Sequence, residues 1–157
     1  MGQEIPTFEN SREGLETMFQ FILNASDSQQ VALTESLTPL RSDYDSVFVP
    51  SSRKKVFKYH QRLMKMADII IRPLRGNQTE ILLWEATTES LGVYQGEARF
   101  FPGAYTENVG IFLPKKTFYR MKFVEPGRKL GTAFDVFTYI NGNWRVFHRP
   151  WAALGNR

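Results

Sequence analysis

The chain has 157 residues, 42% of them hydrophobic and 23% charged, with a formal net charge of +4; this fits one globular domain able to bury about two-thirds of its unfolded surface. With no cysteine and two histidines, disulfides, thiolate centres and a cysteine nucleophile are excluded, and neither a metal nor a cofactor is expected. No apolar run nears the roughly 20 residues of a membrane span, and the bases lie among acids except at Arg53-Lys54-Lys55 and Lys115-Lys116, so neither a membrane nor a nucleic-acid partner is expected.

The opening Met1-Gly2-Gln3-Glu4-Ile5-Pro6 is polar and abrupt. It fits a cytosolic start or an exported domain whose leader has been removed, the second being slightly favoured. Asn10 and Glu13 fit a capping box. Leu15, Met18, Phe19, Ile22 and Leu23 follow at helical spacing, which predicts a helix over about 11–25. Ser28 can cap a second helix carrying Val31, Leu33 and Leu37, ended by Pro39. Residues 42–45 read as a turn or helical turn. After Pro50, Ser51 or Ser52 can cap a third helix with Val56, His60, Leu63, Met64 and Ala67 along one stripe. Its bases, Arg53, Lys54, Lys58, Arg62 and Lys65, read as a solvated face.

From residue 69 the period becomes two. A strand is predicted over 68–73 and another over 79–88, the latter apolar on both faces and so covered on both sides. Residues 92–110 hold four glycines and read as loop, with room for a short strand near 98–101. Residues 116–125 alternate cleanly. Residues 132–140 and 143–148 close the chain as a hairpin about Asn141-Gly142, the strongest short-range hairpin signal.

The stretch from Phe134 to Trp151 holds six aromatic rings, one Asp and one His. A two-residue turn at Asn141-Gly142 places Tyr139 opposite Trp144, Phe137 opposite Val146 and Asp135 opposite His148, all on one face. A three-residue turn with a bulge would instead place Asp135 opposite Arg149. In the first register Asp135 and His148 form a candidate acid–base pair for proton transfer; the same pair also reads as a structural tie near a sheet end. His60 either approaches that cavity or is a core histidine bonded to a backbone carbonyl. Tyr59, Tyr94, Tyr105 and Tyr119 are possible pocket hydroxyls. Glu85 and Glu97 look isolated, and no paired-carboxylate, nucleophile-elbow or phosphate-loop motif occurs.

Three helices followed by an antiparallel sheet, with the amphipathic first helix (Leu15, Met18, Phe19, Ile22) and the closing Asn141-Gly142-Asn143-Trp144-Arg145-Val146-Phe147-His148, resemble the NTF2-like (SnoaL-like, cystatin-like) superfamily. The resemblance implies an α+β fold of N-terminal helices packed on a curved antiparallel sheet, a single domain over 1–157, with a cone-shaped pocket. It implies a small, mostly apolar ligand bound by His60, Trp84, Phe137, Tyr139 and Trp144, with Asp135 as polar anchor. It also implies a homodimer through the other hairpin face, where Phe134, Val136 and Phe147 would form an apolar patch beside Arg145 and Arg149, unless residues 92–115 cover it. The alternative is an isomerase- or dehydratase-type enzyme using Asp135 and His148 as its catalytic pair. The superfamily hosts many activities, so fold alone assigns none.

Overall fold

The structure is a computed structural model and describes residues 4–154. It is α+β: four antiparallel strands in the order β1-β2-β3-β4 form an open sheet with helices on both faces. The strands are β1 (Glu80–Thr87), β2 (Thr117–Val124), β3 (Gly131–Ile140) and β4 (Asn143–Val146). Among the described residues no helix is long and apolar enough to cross a membrane.

Helix α1 (Arg12–Asn24) starts one residue later than the capping-box reading: Ser11, not Asn10, accepts from the Gly14 N–H at 2.9 Å. Its stripe of Leu15, Met18, Phe19 and Ile22 is buried. A Cβ on Gly14 would collide with the Glu9 carbonyl, so the chain enters α1 closer than any side chain there allows. Helix α2 (Asp27–Leu37) is capped by Ser26 rather than Ser28. Ser26 and Gln29 satisfy each other's backbone N–H groups, at 3.2 and 2.9 Å. Helix α3 (Pro50–Met66) needs no side-chain cap, because Pro50 occupies its first turn and has no N–H to leave unpaired.

Two apolar clusters sandwich the sheet. On one face Leu15, Phe19, Leu33 and Leu37 pack on Met121, Phe123, Phe137 and Trp144. On the other, Tyr44, Phe48 and Val56 join Phe118, Val136, Ile140 and Phe147. The expectation that the β1 strand is covered on both sides holds: Leu83 belongs to the first cluster and Ala86 to the second.

Two expected strands are absent. Residues 68–73 form no strand, because the Ile71 N–H is satisfied by the Thr34 hydroxyl at 2.9 Å rather than by a neighbouring strand. Residues 88–111 are short helical turns, α4 (Thr88–Val93) and α5 (Gly103–Glu107) with 3₁₀ turns at Gly96–Phe100 and Val109–Ile111. This segment covers the face expected at a dimer interface. It brings Leu91, Ala98, Phe101, Tyr105 and Ile111 over Val136 and Phe147, both of which are fully buried. Val136 and Phe147 are therefore interior, Phe134 packs instead on the other face beside Phe123, and Arg145 is also buried, held by Asp43 at 2.8 Å.

The free edge of β1 is closed by side chains. Glu97, expected to be isolated, accepts from the Glu85 N–H at 2.9 Å and from Arg12 at 2.7 Å, while Arg12 also donates to the Leu83 carbonyl. Burial pushes the Glu97 carboxyl up, but bonds from Arg12 and the Glu85 N–H, with the Arg12 charge, outweigh it and hold the group below its ordinary range. An edge with its backbone groups occupied in this way resists pairing with another chain.

Candidate ligand site

Asn141 and Gly142 both have positive φ, 51° and 82°, as a two-residue hairpin turn of the primed class requires. The pairs that follow are those the two-residue register predicts: Ile140 with Asn143, Tyr139 with Trp144, and Phe137 with Val146. Val136 and Phe147 then exchange both backbone bonds, at 3.0 and 2.8 Å. Beyond that point the ladder slips, and the Arg149 N–H bonds the Asp135 carbonyl at 2.9 Å. The Asp135–Val136 peptide is cis.

On its other side β3 carries a bulge. Tyr119 pairs with Phe137 but Arg120 pairs with Asp135, leaving Val136 as the extra residue. Since Tyr119 and Arg120 point to opposite faces, the bulge sends Asp135 away from Phe137. Asp135 therefore leaves the aromatic face, correcting the expectation that it pairs with His148. Its Oδ2 accepts from Arg120 Nε at 2.9 Å and its Oδ1 from the Tyr105 hydroxyl at 2.8 Å. Burial first, and the nearby Asp135 charge second, push the Tyr105 hydroxyl well above its ordinary range, so it stays a proton donor to the carboxylate. With both oxygens bonded, Asp135 is not presented as a free base.

His60 realises the core-histidine reading. Its Nε2 lies 2.7 Å from the His148 carbonyl, which can only accept, so Nε2 carries the proton. Nδ1 is then bare and accepts from the Tyr44 hydroxyl at 2.8 Å. Burial lowers the His60 pKa to about 4, against a small opposing effect of the carbonyl bond. Burial, with the neighbouring His60 second, lowers that of His148 to about 4 as well. The two rings share a void of about 30 Å³, room on the order of one or two water molecules.

The remaining expected ligand residues are dispersed. Phe137 is fully buried beneath α1, its ring 5.1 Å from Phe19. Trp84 lies on the opposite face, stacked on Phe100 at 5.5 Å with Arg120 and Lys122 over its ring. Tyr139 and Trp144 pair edge to face and line a shallow groove of about 260 Å³ with Ile5 and Phe8. Trp144 Nε1 also donates to the Glu9 carbonyl at 3.0 Å. The aromatic face is thus a packing floor for α1 and α2, and none of these cavities takes in all five residues.

Asp135 and His148 do meet the same cavity, of about 350 Å³, between the start of β3 and the 3₁₀ turn Pro150–Leu154. Phe134 and Trp151 supply aromatic wall, and Arg120, Asp135, His148 and Arg149 supply polar groups. The Arg149 guanidinium lies 4.9 Å over the Trp151 ring and is in no ion pair among the described residues. Arg149 holds φ at 36°, a left-handed backbone that turns the chain from β4 into the 3₁₀ turn and swings this side chain to the cavity. Reading the sequence missed Arg120 and Trp151, while Tyr105, expected as a possible pocket hydroxyl, is buried and spent on Asp135. The three-residue turn is not formed, but both readings of the hairpin, Asp135 with His148 or with Arg149, point to this neighbourhood, since all three residues line the cavity.

A wider cleft of about 820 Å³ opens between the C-terminal end of α1, the N-terminal end of α2 and residues 68–79. Its buried polar groups are already engaged. Gln30 donates to the Ile22 carbonyl, and Gln78 Oε1 accepts from Leu74, Arg75 and Thr132. The smaller cavity, with an uncommitted cation and two aromatic walls, is the better-furnished one.

Comparison of the chain with protein-family models, with curated proteins and with solved structures gives no match.

Proposed function

We propose that the protein is a small-molecule-binding domain of NTF2-like plan, its ligand seated in the 350 Å³ cavity between β3 and the C-terminal 3₁₀ turn. The plan is supported by three long helices preceding an antiparallel sheet and by the closing Asn141-Gly142 hairpin. The binding reading rests on one observation: the cavity sets the unpaired Arg149 guanidinium beside the rings of Phe134 and Trp151. Such a wall suits a compact aromatic or aliphatic body carrying one anionic group, and the cavity volume falls in the range of small-ligand pockets. Arg149 replaces Asp135 as the polar anchor, because the Asp135 carboxylate is spent on Arg120 and Tyr105. Binding without chemistry is favoured over proton transfer on the same ground, together with a His148 whose pKa burial lowers to about 4, which leaves it a weak base.

The test is calorimetric titration with 2-naphthoate and indole-3-acetate. Saturable binding to the parent chain, weakened at least tenfold in Arg149→Ala and abolished by filling the cavity with Ala133→Trp, is the expected result. Binding unchanged in both variants, or no saturation by either probe, removes the reading.

A further inference from the structure

Helix α3 carries six cations, Arg53, Lys54, Lys55, Lys58, Arg62 and Lys65, and no carboxylate. They contribute +6 to a chain whose formal total is +4, leaving all the remaining residues at −2. The whole positive excess of the protein therefore sits on one helix. In sequence order these residues are interrupted and look like an ordinary solvated face. At 100° per residue, however, Lys54, Lys58, Lys65, Arg62 and Lys55 fall within an arc of about 100° and a length of about 17 Å. All five are exposed, and none makes an ion pair or side-chain hydrogen bond among the described residues; Arg53, outside the arc, does.

This arrangement works against the helix itself. Lys54–Lys58 and Lys58–Arg62 are like-charge pairs at i,i+4, and Lys55–Lys58 and Arg62–Lys65 at i,i+3, spacings at which equal charges destabilise. The first turn holds no acid to favour the dipole. The opposite side of the helix, Val56 and His60, is locked in the core and in the bond to the His148 carbonyl, so the cationic strip is held rigid.

We propose that this face of α3 binds the phosphate backbone of a nucleic-acid duplex, without reading its sequence. A duplex presents one negative charge per about 1.7 Å of axis, so a 17 Å strip of five cations can be matched along its length. A bilayer surface fits less well. A helix that lies in a membrane interface inserts an apolar face, and the apolar side of α3 is already buried in the fold.

Fluorescence anisotropy of a labelled 20-base-pair duplex of mixed sequence, titrated with the full chain between 50 and 200 mM KCl, tests this. Five neutralised phosphates give a slope of log K against log salt of about −4 to −4.5, with little dependence on base sequence. Lys58→Glu turns both i,i+4 repulsions into attractions, so it is expected to raise the melting temperature while weakening binding at least fivefold; loss of binding then cannot be loss of fold. Lys54→Glu combined with Arg62→Glu should abolish binding, and Lys115→Glu with Lys116→Glu should leave it within twofold. No binding at 50 mM KCl, binding indifferent to Lys58→Glu, or tighter binding to phosphatidylserine-containing vesicles than to the duplex would each overturn the proposal.

Discussion

Arg120 holds Asp135 across the β2–β3 bulge, Nε to Oδ2 at 2.9 Å, with both side chains largely out of solvent. Removing one member of a buried pair leaves the other charge uncompensated, at a cost of about 3–5 kcal/mol. Arg120→Met is expected to destabilise the protein by that order, read as a lower urea midpoint with an unchanged slope. Arg120→Met with Asp135→Leu should regain only part of the loss, because the buried Tyr105 hydroxyl then lacks its acceptor. Adding Tyr105→Phe should recover most of the remainder. Full recovery in the double variant would show that Tyr105 gains nothing from the carboxylate.

Stability should fall on mild acidification. His60 and His148 both titrate near 4 when folded and near 6.5 when unfolded. Above pH 6.5 both are neutral in both states, so their contribution is complete there. Between about 6.5 and 4 the unfolded chain binds protons that the folded one refuses, and stability drops with pH, by on the order of 3 kcal/mol per ring at the low end. Protonating His60 Nδ1 also costs the bond from Tyr44. Urea midpoints at pH 7.5, 6.0 and 4.5 measure the fall. His60→Gln should flatten it, and an equally steep fall in that variant would exclude His60 as a source.

Gly14→Ala should cost about 1–3 kcal/mol, the usual range for forcing atoms into a filled site. The new methyl meets the carbonyl of Glu9, which is backbone and cannot swing aside. That same carbonyl accepts from Trp144 Nε1, so displacing it should also shift the tryptophan fluorescence. A melting temperature unchanged by the substitution would mean that the chain enters α1 by another path.

Much of the frame was legible in the sequence. The Leu15–Met18–Phe19–Ile22 stripe, the alternation of β2 and the Asn141-Gly142 turn are local signals, each carried by a few adjacent residues. The helical turns of 88–111 were not legible, since each is shorter than the window in which a 3.6-residue period can be seen. Ile69–Ile71 mimic a strand in composition, but a distant hydroxyl, Thr34, takes the N–H a strand would need. The site failed to be read for one reason: a single extra residue, Val136, exchanges the faces of everything on its N-terminal side. Counting outward from the turn is sound as far as Val136, which pairs with Phe147, and fails at the next residue, Asp135.

The hairpin tip reaches far back along the chain. Arg145 donates to Asp43 across 102 positions and Trp144 to Glu9 across 135, while Asn141 holds Asp43 from the turn itself. The helices at one end of the chain are thus clamped by the last strand at the other. Contacts of such sequence separation slow folding and concentrate it in one step. During synthesis the first helix therefore waits, without a finished surface to rest on, until β4 has been made.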